Sequence, residues 1–285
     1  MNSGRWRLGV FPVLLAYVVF FLAPQAMFLA MSLFSMTGPG MYARPLTGSN
    51  FAAIIQQAYL RRALFNTIEL AILTAVLSIL LAFPLAYRIA QPGRLGRYLL
   101  ALVIGVMFSS SVALALGWQT LLAPVGGINQ LLTAIGFISH PLPISANFTA
   151  VVIGSVHGAI PVATLGMLPA CEAIQRQQIE ASIGLGASHF RTLVDIVIPQ
   201  VYRSALAMLL IIFATTTSIF TTPALLGGGR VALESLAIQD QLFTLFDYPQ
   251  TAAIAAVLAA VTIAVMLGAK LITRSASGRT AAHAS

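Results

Sequence analysis

The sequence predicts an all-α membrane protein with six transmembrane helices, and three observations carry that prediction. Of its 285 residues, 59% are hydrophobic and only 8% are charged, whereas about a quarter of a soluble domain is charged. Mean hydropathy is +0.93. Apolar runs long enough to cross roughly 30 Å of hydrocarbon, about 20 residues each, recur six times. This composition excludes a two-domain soluble protein and a disordered chain.

The first run covers about 8–34 and follows Arg5 and Arg7. It exceeds the 7–15 apolar residues of a secretory signal, so it reads as a retained helix. The later runs fall at about 63–90, 98–122, 148–170, 204–226 and 252–272. Pro24, Pro84 and Pro161 lie in or near them, where neighbouring helices can satisfy freed carbonyls. The turn-rich stretch 37–50 precedes an expected interfacial helix over 51–62. The stretch 227–249 is too polar to cross and too apolar to float free, which predicts an interfacial or re-entrant helix. Residues 275–285 are small and polar and are expected to be disordered.

Basic residues set the orientation. With the N-terminus inside, Arg5, Arg7, Arg88, Arg94, Arg97, Arg176, Arg191, Arg203, Lys270, Arg274 and Arg279 face the cytoplasm. Only Arg44, Arg61, Arg62 and Arg230 face out, so 11 of 15 are inside and both termini are cytoplasmic. The net charge of +8 is thus a topology bias. It is spread singly, without the basic stripe of a nucleic-acid binder. The lone Cys171 and four scattered histidines offer no metal cluster. No phosphate-binding glycine loop, metalloprotease motif or nucleophile elbow is present, so no catalytic, cofactor or metal site is assigned.

The cytoplasmic loop 172–203 is the most informative segment. Apolar residues recur there at helical spacing, Gly184 and Gly186 interrupt the pattern, and Ser188 can cap a second helix. Pro199 is expected to end or bend that second helix before span five. The prediction is helix, glycine turn, helix.

Glu180-Ala181-Ser182, three residues, Gly186, nine residues and Ile196-Val197-Ile198-Pro199 resemble the EAA motif, E-A-A-x3-G-x9-I-x-L-P. That motif belongs to inner-membrane permease subunits of binding-protein-dependent ATP-binding cassette importers. Asn66-Thr67 with the following 70–87, Trp118 with Gly127-Ile128-Asn129, and Thr222-Pro223-Ala224-Leu225-Leu226-Gly227-Gly228 resemble the polyamine-type branch, typified by spermidine/putrescine permeases. Relatives often carry an arginine shortly before the tryptophan; the run 109–118 has none.

This resemblance implies the type I importer (MetI-like) permease fold and a bacterial inner-membrane location. It implies docking of Glu180, Ala181, Ser182, Gly186, Ala187, Ile196 and Pro199 on a separate ATPase. The implied partners are an ABC ATPase dimer that holds the ATP and Mg, a second permease (paralogue or identical copy) and a periplasmic binding protein, within membrane lipid. A polyamine-like solute is implied; iron, thiamine, sulfur oxyanions and phosphonates stay open. A stand-alone secondary transporter would want inverted repeats and several intramembrane ionisable residues, and only Glu69 lies clearly within a span.

Polar residues of the spans mark a candidate path: Glu69 and Asn66 in span two, Ser109 and Ser110 in span three, Thr216, Thr217, Ser218 and Thr221 in span five. A charged group in the bilayer is costly and marks function by default. Glu69 could alternatively pair with Arg62, two turns earlier, and the hydroxyls could alternatively serve close helix packing.

Overall fold

The computed structural model describes residues 11–43 and 46–282, with side chains to Ala269. Arg5, Arg7, Arg44 and residues 283–285 lie outside the described residues. The elements in order are α1 (Phe11–Met31), β1 (Ser35–Gly38), β2 (Met41–Ala43), α2 (Ser49–Gln56), α3 (Ala58–Ala90) and α4 (Arg94–Met107). They continue with α5 (Ser111–Leu122), α6 (Gly127–Ala134), α7 (Phe148–Glu172), α8 (Arg176–Gly184), α9 (His189–Thr217), α10 (Thr221–Leu226), α11 (Glu234–Phe243) and α12 (Tyr248–Ala282). Among the described residues, six stretches are long and apolar enough to span: 11–31, 58–90, 111–134, 148–172, 189–217 and 248–269.

Several boundaries differ from the sequence expectation. The third apolar run is broken: α4 stops at Met107 and α5 starts at Ser111, with Ser110 extended between them. Apolar composition continues through the break, so hydropathy cannot show it. The helix expected at 51–62 ends at Gln56, and residues 58–62 already belong to α3. The fifth span begins at His189 and ends at Thr217, in place of the expected 204–226. Instead of a disordered end, α12 runs on to Ala282, since extending a formed helix carries no nucleation cost. The turn-rich stretch contains a short antiparallel hairpin that pairs Ser35 with Ala43.

Pro199 does not end the second helix of the loop. Residues 193–197 widen into a π turn in which the Ile198 N–H donates to the Leu193 carbonyl. A proline ring normally clashes with the carbonyl four residues back; the wider turn accommodates it and the helix continues. The same solution occurs at Val18–Leu22, just before Pro24.

The chain divides into two compact units. One comprises the chain up to Leu64 together with the chain from Leu236. In it α12 packs on α1 and α2. Asn50 Nδ2 donates to the carbonyls of Ser32 and Phe34, each at 2.8 Å, and Gln250 Nε2 donates to the Asn50 carbonyl at 3.1 Å. These bonds tie three segments that apolar packing alone would leave in loose register.

The second unit, Phe65–Ser235, holds the core of α3, α7 and α9. Ala71, Ala75, Ala82 and Ala86 form one small-residue face of α3, opposed by Ala163, Met167, Val201, Met208, Ile212 and Phe213. Small side chains let helices approach closely where no hydrophobic drive separates lipid from protein. Asn147 starts α7 by accepting from the Ala150 N–H at 3.0 Å. The buried Asn129 anchors the loop after α5: its Nδ2 donates to Ala123 and Leu142 carbonyls, and its Oδ1 accepts from the Leu142 N–H at 2.8 Å.

Candidate functional site

The loop 172–203 folds as the short helix α8 and the first turns of α9 around a closed turn. At the end of α8, the Gly186 N–H donates to the Ile183 carbonyl at 2.9 Å and the Ala187 N–H to the Ser182 carbonyl at 3.1 Å. That pair of bonds is a Schellman cap, which requires a left-handed residue after the helix. Gly186 supplies it with φ +88°. Ser188 then caps α9 by accepting from the Arg191 N–H at 3.2 Å.

Two side-chain contacts fix the angle between the helices. Ser182 and Thr192 hydroxyls meet at 3.0 Å, and Gln200 Nε2 donates to Gln178 Oε1 at 3.0 Å. Ser182, the serine standing third in the motif, therefore contributes a bond that alanine could not. Glu180 pairs with Arg176 at 2.7 Å, and Asp195 with Arg191 at 3.3 Å, all well exposed. Exposed i,i+4 pairs of this kind contribute only about 0.3–0.5 kcal/mol, so neither holds the loop together.

The loop turns apolar side chains outward. Leu185 is 90% exposed and Phe190 74% exposed, and Ile183, Val194 and Ile198 are exposed as well. Leu185, one of the apolar residues at helical spacing, stands at the tip. Ala181, Pro199 and Glu180 are exposed, whereas Ile196 and Ala187 are half-buried. Ile196 and Pro199 therefore shape the base of the knob, and Leu185 with Phe190 forms its end.

A second feature lies deeper in the same unit. A cavity of about 320 Å³ opens among α5, α7, α9 and α10. Its wall is apolar apart from hydroxyls of Ser111, Ser155, Thr215, Thr216 and Thr222. No charged side chain lines it. The Ser155 hydroxyl is buried and has no hydrogen-bond partner among the described residues. Gly158 leaves open space on the same helix, whereas Gly154 lets Leu226 and Thr222 pack closely against it.

Of the path residues read from sequence, this cavity gathers Thr216 alone. Thr217 Oγ1 donates to the Ala214 carbonyl, and Ser218 and Ser109 likewise turn back onto their own helices. Ser110 occupies the position before α5 without a side-chain cap bond, and Thr221 starts α10 beside the cavity residue Thr222. Glu69 is exposed on α3 and forms no pair with Arg62; the ion pairs among the described residues are the two in the loop. Asn66 is engaged away from the cavity, where its Nδ2 donates to the Ala232 carbonyl at 2.9 Å. Ser155 escaped sequence reading because one serine in an apolar helix carries no pattern. Trp118, part of the family resemblance, donates its indole N–H to His157 within the unit.

Residues 120–278 match the family model described as the inner membrane component of binding-protein-dependent transport systems. The chain belongs to this family. It is an inner-membrane permease component of an ATP-binding cassette importer. The permease is 26% identical over 239 residues to the spermidine/putrescine transport system permease protein PotB of Haemophilus influenzae, covering 83% of each chain. It is 29% identical over 234 residues to the thiamine transport system permease protein ThiP of Brucella melitensis, covering 78% of this permease and 41% of that protein. Its fold matches that of a bacterial alginate ABC transporter solved with a pentasaccharide-bound periplasmic protein, at TM-score 0.79, 18% identity, and coverage of 96% of this chain and 95% of that one.

Proposed function

We propose that this permease is driven through the 172–203 loop by a separate ABC ATPase dimer, which holds the ATP and Mg. A second permease, paralogous or identical, completes the membrane part, and a periplasmic binding protein delivers the solute. The chain itself carries no cofactor and no catalytic step. The observation that supports this reading most is the capped turn at Gly186 with Leu185 and Phe190 turned outward. A compact apolar knob on a rigid turn suits burial in a partner's groove. Each such side chain contributes about 1.5–3 kcal/mol when fully covered.

Glu180, Ala181, Ser182, Gly186, Ala187, Ile196 and Pro199 build that knob and its base. The solute path runs along the hydroxyl-lined cavity, with Thr216 and Ser155 in its wall. The solute is polyamine-like, a reading supported by the similarity to PotB across most of the chain. Thiamine is the second reading, supported by the similarity to ThiP.

The test is Gly186→Asp in the complete importer. Insertion in the membrane is retained, while ATPase co-purification and solute uptake are lost. Wild-type uptake and wild-type ATPase association in that variant overturn the coupling role. Ligand binding by the cognate periplasmic protein, assayed against spermidine, putrescine and thiamine, decides the solute.

A further inference from the structure

Glu234 is a buried acid that the coupling and transport readings leave unused. It is 1% exposed, and neither carboxyl oxygen has a hydrogen-bond partner among the described residues. It lies outside the six candidate spans, in the connector between α10 and α12. The connector is clamped beside it from both sides. The Glu234 N–H donates to Thr67 Oγ1 at 2.9 Å, and Asn66 Nδ2 donates to the Ala232 carbonyl at 2.9 Å. Val231 and Leu233, which precede it, are buried as well, so the segment that seats the carboxyl is itself withdrawn from solvent.

A carboxylate in such a seat lacks both water and a counter-charge, which costs far more than burying the neutral acid. The charged groups of the surrounding elements offer no relief. On α3, Arg61, Arg62 and Glu69 are exposed and Arg88 lies about six turns along from Thr67; Arg230 and Asp240 on the connector are exposed as well. Neither α5 nor α10 carries a charged residue. Burial is accordingly the cause that pushes the Glu234 carboxyl from 4.5 to about 8.

We propose that Glu234 is a proton-operated latch: as the neutral acid it keeps Val231–Ser235 seated on Asn66 and Thr67, and release of its proton to water unseats the segment. The proton leaves the carboxyl for bulk solvent, and no other bond changes. The direction follows from the raised value. Seating is strongest below about pH 4.5 and weakens as pH climbs from there to about 8. The latch depends on the connector's geometry and is independent of which solute is carried.

The test uses the complete importer in lipid nanodiscs. Amide hydrogen exchange across 231–235, corrected for the intrinsic pH dependence, is compared at pH 5 and pH 8.5. Protection in the wild type falls by about tenfold or more, one pKa unit corresponding to tenfold. In Glu234→Gln, which mimics the neutral acid at every pH, protection stays level. Equal protection of the wild type at both pH values overturns the latch, as does an equal fall in the glutamine variant. If that variant fails to fold, infrared titration of the wild type decides. A protonated carboxyl band that persists at pH 6.5 and disappears by pH 9 supports the latch, and absence of the band at pH 6.5 overturns it.

Discussion

The indole N–H of Trp118 donates to Nδ1 of His157 at 2.7 Å, with the two rings edge to face. An indole nitrogen can only donate. His157 therefore presents a lone pair at Nδ1 and carries its proton on Nε2. The bond joins α5 to α7 one residue away from Gly158 of the cavity wall. Trp118→Phe removes the donor and strands the half-buried imidazole, at a cost of about 1–3 kcal/mol. His157→Phe in the same background recovers part of that loss. A double-mutant cycle of thermal unfolding in detergent measures a coupling of about 1 kcal/mol; zero coupling would show that the bond contributes nothing to this unit.

Leu185→Ser leaves the fold unchanged, because the side chain is almost wholly exposed in the permease alone. Its effect emerges only with the ATPase. Loss of a covered leucine, about 1.5–3 kcal/mol, weakens ATPase association by at least tenfold. Titration of the purified ATPase onto permease nanodiscs reads this directly. Unchanged affinity would mean that the tip does not enter the partner.

Gly166 on α7 faces Met208 on α9 so closely that a Cβ would collide with the methionine side chain. The Ser204 hydroxyl also donates to the Gly166 carbonyl at 2.8 Å, which holds the helices at that separation. Gly166→Ala destabilises by about 1–3 kcal/mol through overpacking. Met208→Ala restores most of the loss when combined with it, although each change alone is harmful. Thermal melts of the two single variants and the double variant test this pattern.

Ser155→Ala separates stability from transport. The hydroxyl is buried without a partner, so its removal raises stability by about 1 kcal/mol. Uptake nevertheless falls severalfold, because the cavity loses one of its few polar contacts. A variant that is more stable and transports normally would assign Ser155 to packing.

Asn129→Ala disconnects the loop between α5 and α7. It removes two donated bonds and one accepted bond, and leaves the Leu142 N–H unpaired. The expected loss is about 1–3 kcal/mol, with proteolysis rising first within residues 123–142. Uniform proteolysis along the chain would instead point to global destabilisation.

The sequence was most legible where a single property dominated. Apolar runs located the spans because lipid tolerates little else at that length. The motif spacing marked the loop 172–203 as a helix–turn–helix, and Ser188 and Gly186 took the cap and turn positions their chemistry favours. What stayed hidden depended on contacts between distant residues. The break at Ser109-Ser110 lies in apolar sequence, so composition runs through it without a signal. Pro199 reads as a helix stop, and only the π turn before it lets α9 continue. Glu234 sits in a polar stretch, and nothing local distinguishes it from the exposed Asp240. Its burial comes from Asn66 and Thr67, more than 160 positions earlier.

The continuity of α9 changes what the two ends of this helix can do. Phe190 at the tip and Thr216 in the cavity wall belong to one continuous helix that carries the π turn and Pro199 near its start. At 1.5 Å per residue they stand about 39 Å apart. Helices bend at π turns and prolines, so the run from Gln200 to Thr217 is the lever and the π turn before Pro199 is its joint. Under the proposed coupling, an angle imposed at the Phe190 end is taken up partly at that joint and reaches the cavity through a single helix.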